Sequence, residues 1–140
     1  MNSNLKKYVL NKTNLGNKNK FVLIIGSSPS KGARSPKLWN NAYKRFKKKI
    51  RMHPADVLEK NLGKICKYLK GNKNFLGSSV TIPFKEKIMK HLDSIDKNAK
   101  TIGSVNTIVR KKNKLIGYNT DYNGSLYSLK KSKITRKNKK

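Results

Sequence analysis

The chain has 140 residues, 35 of them Lys or Arg against 6 Asp or Glu, for a formal net charge of +29, and 35% of its residues are hydrophobic. That length supports about one domain with a real core and no need of disulfides or metals. No run approaches the roughly 18 apolar residues of a membrane span, the N-terminus lacks the apolar segment of a signal peptide, and the one cysteine, Cys66, fits a reducing compartment, so a cytoplasmic protein is expected.

Five of the basic residues are arginines (Arg34, Arg45, Arg51, Arg110, Arg136), which leaves 30 lysines, spread among many asparagines. Nucleic-acid readers favour arginine for bidentate contacts and gather their charge on one face, so a specific nucleic-acid partner is not expected. The codons of lysine and asparagine are both A-rich, and an AT-rich coding sequence accounts for the composition without a function. Repulsion among so many cations predicts that stability rises with added salt.

Residues 1–20 are polar and without period, and read as a flexible basic extension in which only Tyr8-Val9-Leu10 could pair as a strand. Order is expected from Phe21. The apolar run FVLII (21–25), ended by Gly26, predicts a strand buried on both faces, and the loop GSSPSKGAR follows it. A helix is predicted from Ser35-Pro36, with Ser35 as N-cap and Leu38, Trp39, Ala42, Tyr43 and Phe46 at helical spacing. A short strand at 50–52 comes next, then a helix opened by the capping-box spacing of Asp56 and Glu59, with Leu62, Ile65, Cys66 and Leu69 on one stripe. The stretch 74–82 gives a third strand, Pro83 opens a third helix through Phe84, Ile88, Met89 and Leu92, and a further helical turn or two runs from Asp93 to Ile102. Strands at 104–110 and 114–120 flank a polar turn as a hairpin would, and a last helix starts at Asp121 and runs out in a basic tail over 125–140. The alternation predicts an α/β fold: an open, mostly parallel sheet with helices on both faces, three layers α/β/α.

Four polar motifs fall at strand ends or loops in this scheme: RSP (34–36), VTIPFKE (80–86), SVNT (104–107) and YNTD (118–121). Ligands of open α/β sheets bind at the carboxyl ends of the strands, so these motifs can converge on one pocket. They supply Ser35, Thr81, Lys85, Asn106, Thr120 and Asp121. Hydroxyls and amides suit a small polyhydroxylated molecule, and a lysine beside an aspartate can move a proton. Taken singly, Thr81 is also an ordinary strand residue, Asn106 a turn former, Asp121 a helix N-cap and Lys85 one more solvated lysine.

The same motifs, in the order IIGSSPSKGARSPKLWN, VTIPFKEKI, LDSIDKNAKTIGSVNT and IGYNTDYNG, resemble the N-terminal substrate-binding domain of shikimate dehydrogenase over about Phe21 to Gly124. The resemblance implies the aminoacid dehydrogenase-like substrate domain and a part in the NADP-dependent interconversion of 3-dehydroshikimate and shikimate, on the route to chorismate and the aromatic amino acids. It implies that Lys85 and Asp121 form the catalytic dyad and that Ser35, Thr81, Asn106 and Thr120 bind the substrate. A lysine at its reference pKa of about 10.4 is a poor base at neutral pH, so Asp121 is expected to fix position and charge more than to raise basicity.

The sequence also departs from that family. The resemblance stops near Gly124, before the family's NADP-binding Rossmann domain, and no G-x-G-x-x-G spacing exists among the nine glycines. The chain is therefore expected to hold no NADP site, to be truncated before that domain, and to need a separate or missing NADP-binding domain for turnover. Ala33 stands where the family has the first of two substrate serines, with Ser30, Lys31 or Arg34 as candidate replacements, and Trp39 stands where it usually has histidine. His53 and His91 are read as solvated or packed. The alternatives left open are a stand-alone binder of shikimate or quinate without catalysis and a basic nucleic-acid-binding derivative.

Overall fold

The structure, a computed structural model, describes residues 3–13, 15 and 19–132. Its elements are α1 (Ser3–Lys6), β1 (Lys20–Gly26), α2 (Ser35–Arg45), β2 (Ile50–Asp56), α3 (Leu62–Gly71), β3 (Phe75–Val80), β4 (Ser94–Ile95), α4 (Lys97–Ile102), β5 (Thr107–Lys111), β6 (Lys114–Tyr118) and α5 (Asp121–Lys131). Six strands form one sheet in the order β2-β1-β3-β5-β6-β4. β1 runs parallel to both β2 and β3, and β4 parallel to β6, whereas the β5–β6 hairpin enters antiparallel. The α/β sheet expected from the alternation is thus present, with helices on both faces.

Burial shows why these residues form these elements. Phe21, Leu23 and Ile25 of β1 point to one face and join Ile65, Cys66 and Leu69 of α3 in the main core. Burial pushes the Cys66 thiol up to about 12, which leaves it protonated and inert. Val22 and Met52, paired in register on the opposite face, line a groove with Trp39 and Tyr43 of α2. Unlike α3, α2 has no buried residue.

Several expectations are corrected. Among the described residues of the 1–20 segment, Leu5, Val9, Thr13 and Leu15 are buried and Val9 bridges antiparallel to Val57, so that part does not hang free; residues 1, 2, 14 and 16–18 lie outside the described residues. Apolar residues too sparse to show a period are still enough to pin a strap to a core. Ser35 lies inside the first turn of α2, with Arg34 at the cap position. Asp56 ends β2 rather than opening a helix; α3 starts at Leu62 after a 3-10 turn over Glu59–Asn61. The helix expected from Pro83 is instead a set of turns closing on a 3-10 turn at Met89–His91. The Lys85 carbonyl accepts from Val105 N at 2.8 Å, while Met89 N, its partner in an α-helix, bonds Glu86 O at 3.2 Å instead; Phe84 and Ile88 keep their helical spacing and are buried all the same. The 93–102 stretch divides into β4 and α4. Of the tail, residues 133–140 lie outside the described residues.

The outer edge of β2 is closed by polar groups. The Asn40 amide accepts from Met52 N at 2.7 Å and donates to Met52 O at 3.0 Å. Asn11 donates to Pro54 O at 3.1 Å and accepts from Asp56 N at 2.7 Å, and Leu10 N donates to Asp56 O at 2.8 Å.

Candidate active site

The polar motifs meet at the carboxyl end of β3. Val80 N donates to Asn106 O at 2.7 Å and Thr81 N to Ile25 O at 2.9 Å, so one strand end is tied to the segments on both sides of it. Gly26 is required here: a Cβ on it would come within 2.5 Å of Thr81 Cγ2 and 3.2 Å of Ile82 O. Past Thr81 the chain turns, and the Lys85 carbonyl is locked to Val105.

Asn106, buried, is the hub. Its Oδ1 accepts from Thr120 N and from Thr107 Oγ1, each at 3.0 Å, while its Nδ2 donates to Thr120 Oγ1 at 3.0 Å. Asn106 N donates to Tyr118 O at 3.0 Å. Asn119, which sequence reasoning passed over, is also buried. Its Oδ1 accepts from Asp121 N at 3.1 Å and Tyr122 N at 3.3 Å, and its Nδ2 donates to Ser104 O at 2.9 Å. From the position before Thr120, the N-cap residue of α5, its side chain therefore satisfies the helix's first amides and sets where Asp121 stands. An asparagine two residues ahead of an acidic helix start was the signal that could have identified it.

Across this hub Lys85 Nζ donates to Asp121 Oδ2 at 2.7 Å, joining two residues 36 apart in sequence. That bond, with help from Asn106 and against some burial, holds the Asp121 carboxyl below the usual carboxylate range. Both side chains keep solvent access, 35% for Lys85 and 61% for Asp121, so a small molecule can reach the pair. The structure thus brings together Lys85, Asp121, Asn106 and Thr120, with Thr81 at the adjoining strand end. Ser35 stands apart: among the described residues no hydrogen bond links it to this cluster. It follows the carboxyl end of β1, the strand beside β3.

Two further residues fall outside this cluster. His53 is held below its usual pKa by burial and then Arg51, and His91 by burial and then Lys90. Ser30 is no stand-in for the serine missing at position 33, because its N–H donates to Asp56 Oδ1 at 2.8 Å and its hydroxyl is engaged by Asp56 Oδ2.

The described residues do not fit a dinucleotide cradle. The glycine that ends β1 is occupied by the Thr81 side chain and Ile82 backbone, and the loop behind it opens a 3-10 turn at Pro29–Lys31 in place of a helix whose N-terminus could face a pyrophosphate. No helix among the described residues is long and apolar enough to cross a membrane.

Comparison with known proteins places this geometry. Residues 24–108 match the family model described as shikimate dehydrogenase substrate binding domain. The shikimate dehydrogenase (NADP(+)) of Carboxydothermus hydrogenoformans is 44% identical over 121 residues, which is 86% of this chain and 42% of that protein. A crystal structure of a shikimate dehydrogenase in complex with NADP+ superposes with a TM-score of 0.79 at 37% identity, over 91% of this chain and 44% of the other. The Thermus thermophilus shikimate 5-dehydrogenase in complex with NADP(H) and shikimate gives a TM-score of 0.74 at 28% identity, over 83% of this chain and 43% of that one. The chain spans less than half the length of these relatives, and within that span family model, sequence identity and superposed fold agree: it belongs to the shikimate dehydrogenase substrate binding domain family.

Proposed function

We propose that this chain binds shikimate and 3-dehydroshikimate and supplies the proton-handling half of an NADP-dependent shikimate dehydrogenase, with Lys85 and Asp121 as its catalytic dyad. The observation that carries the reading is the 2.7 Å Lys85–Asp121 bond, which joins two separate polar motifs beside the Asn106–Thr120 hub. Asn106, Thr120 and Thr81 offer hydroxyl and amide groups to the oxygen substituents on the substrate's ring, and Ser35 offers a hydroxyl from the β1 side. In reduction the Lys85 ammonium gives a proton to the oxygen that becomes the new hydroxyl; in oxidation the neutral amine removes it. Asp121, kept ionised by Lys85, orients the lysine and balances its charge. The redox half is not assigned to the described residues, which do not fit the dinucleotide; a dinucleotide-binding domain, in the same polypeptide or a separate one, is the partner this reading requires. A location in the cytoplasm, with the substrate's other enzymes, goes with it.

The test is calorimetric titration of the chain with shikimate, followed by an NADP reduction assay with and without a dinucleotide-binding domain from a relative. Saturable binding that Asn106→Ala weakens, and turnover only in the mixture, are expected. Absence of shikimate binding would sink the substrate; binding without turnover in any mixture would make the chain a binder and remove the dyad's role.

A further inference from the structure

We propose that Asp56 is a positioning residue: its carboxylate clamps the loop between β1 and α2, and so holds Ser35 where a substrate can meet it. The proposal rests on Ser35 being a substrate ligand. α2, which carries Ser35 in its first turn, has no buried residue, so a packed apolar face does not fix its position. It is instead tied to β2 at two polar points. Downstream of Ser35, the Asn40 amide spans Met52 N and Met52 O. Upstream, Asp56 receives the N–H of Ser30 at 2.8 Å together with the Ser30 hydroxyl.

The loop's other backbone bonds are local, Lys31 N to Ser28 O at 3.1 Å and Ala33 N to Pro29 O at 3.0 Å, apart from a long one of 3.4 Å between Ser27 N and Ile82 O. Beside the buried ring of Pro29, Asp56 is therefore the loop's firm polar anchor to the sheet. The anchor is itself immobilised. Asp56 is 7% exposed, and its backbone N–H and C=O are held by Asn11 Oδ1 and Leu10 N at 2.7 and 2.8 Å. A carboxylate so placed accepts two donors from one residue, and losing either leaves a buried acceptor short of a partner.

Consequences reach the ligand through the populated fraction of the held loop. If release leaves the receiving conformation a tenth populated, the apparent dissociation constant rises about tenfold. The experiment compares wild type, Ser30→Ala, Ser30→Thr, Asp56→Asn and the Ser30→Ala/Asp56→Asn double variant, each checked for cooperative unfolding. Two quantities are read: the rate of tryptic cleavage after Lys31 and Arg34, located by mass spectrometry, and the shikimate dissociation constant.

Expected are faster cleavage at these two bonds and about tenfold weaker binding in Ser30→Ala, wild-type behaviour in Ser30→Thr, and a double variant no worse than the poorer single one. Ser30→Ala cleaved at the wild-type rate and binding shikimate as wild type does would overturn the clamp. So would an Asp56→Asn protein that loses stability while both loop readouts stay put, since that is what a purely structural role predicts. If wild type itself binds no shikimate, the substrate reading fails, and the cleavage rates alone then decide for or against the clamp.

Discussion

Two lysine–aspartate pairs stand among the described residues, and only one has the surroundings of a site. Lys70 bonds Asp93, and Lys85 bonds Asp121. The second oxygen of Asp93 accepts from Leu115 N at 2.8 Å, and Asp93 N donates to Leu115 O at 3.0 Å, so this aspartate joins β6 to the chain entering β4. Asp121 is 61% exposed and stands over a hub of hydroxyl and amide groups. In a chain with 30 lysines, finding an ion pair says little. Where the carboxylate's remaining capacity goes, to the protein's own backbone or to open space lined with donors, is what sets the pair proposed to act on substrate apart from a structural one.

That contrast can be broken in graded steps. Lys85→Ala should lower NADP-dependent shikimate turnover in the reconstituted enzyme by about 10²–10⁴-fold, the usual worth of a general acid–base group, while Lys70→Ala leaves it unchanged; equal losses would erase the distinction. In urea unfolding, Asp93→Ala should cost about 1–3 kcal/mol because Leu115 N loses its partner, against about 0.2–1 kcal/mol for Asp121→Ala, whose pair is exposed. Carboxyl titration by NMR sharpens the second pair. The folded-state pKa of Asp121 is depressed chiefly by the Lys85 bond, so its contribution to stability is complete above the unfolded value of about 3.9 and is lost as pH falls through the depressed one. In Lys85→Ala the Asp121 carboxyl should titrate higher and that acid-side loss should shrink; an unmoved titration would show that the bond is not made in solution. The smallest effect is salt: at about 1 M, where screening reaches about 3 Å, the cost of Lys70→Ala should fade while that of Asp93→Ala persists, because the latter is a backbone hydrogen bond.

Sequence alone carried five of the six strands, all but the two-residue β4, with the hairpin and the four polar motifs, since each depends on local pattern: an apolar run closed by glycine at 21–26, apolar residues in strand-length runs at 107–118, polar residues at their ends. It could not carry features decided by a distant partner. Asp56 has the spacing of a capping box, yet its carboxylate faces Ser30, 26 residues earlier, and that contact exists only once β1 and β2 lie side by side. Pro83 to Leu92 has helical spacing, but Val105 takes the Lys85 carbonyl. Within the site, Lys85 could be singled out only by its motif, as nothing local distinguishes it from 29 other lysines; Asn119 carries a local signature, a short amide two residues ahead of an acidic helix start. The strap through Val9 and Thr13 was hidden by the polar residues around it.

The asparagine and proline along β2 bear on how this protein behaves when concentrated. A terminal strand with free N–H and C=O groups is a template on which other molecules can add their own strands. Here the outward positions 52, 54 and 56 are a residue met by the Asn40 amide, a proline with no N–H to give, and a residue satisfied by Asn11 and Leu10. At the opposite border β4 has only two residues, too few to recruit a neighbour. Two side-chain amides take the place of a seventh strand at positions 52, 54 and 56, which leaves that border little to offer an incoming strand. A fragment cut to begin at Phe21 would lose that cover at 54 and 56 and should associate more readily than the full chain in a concentration series followed by light scattering.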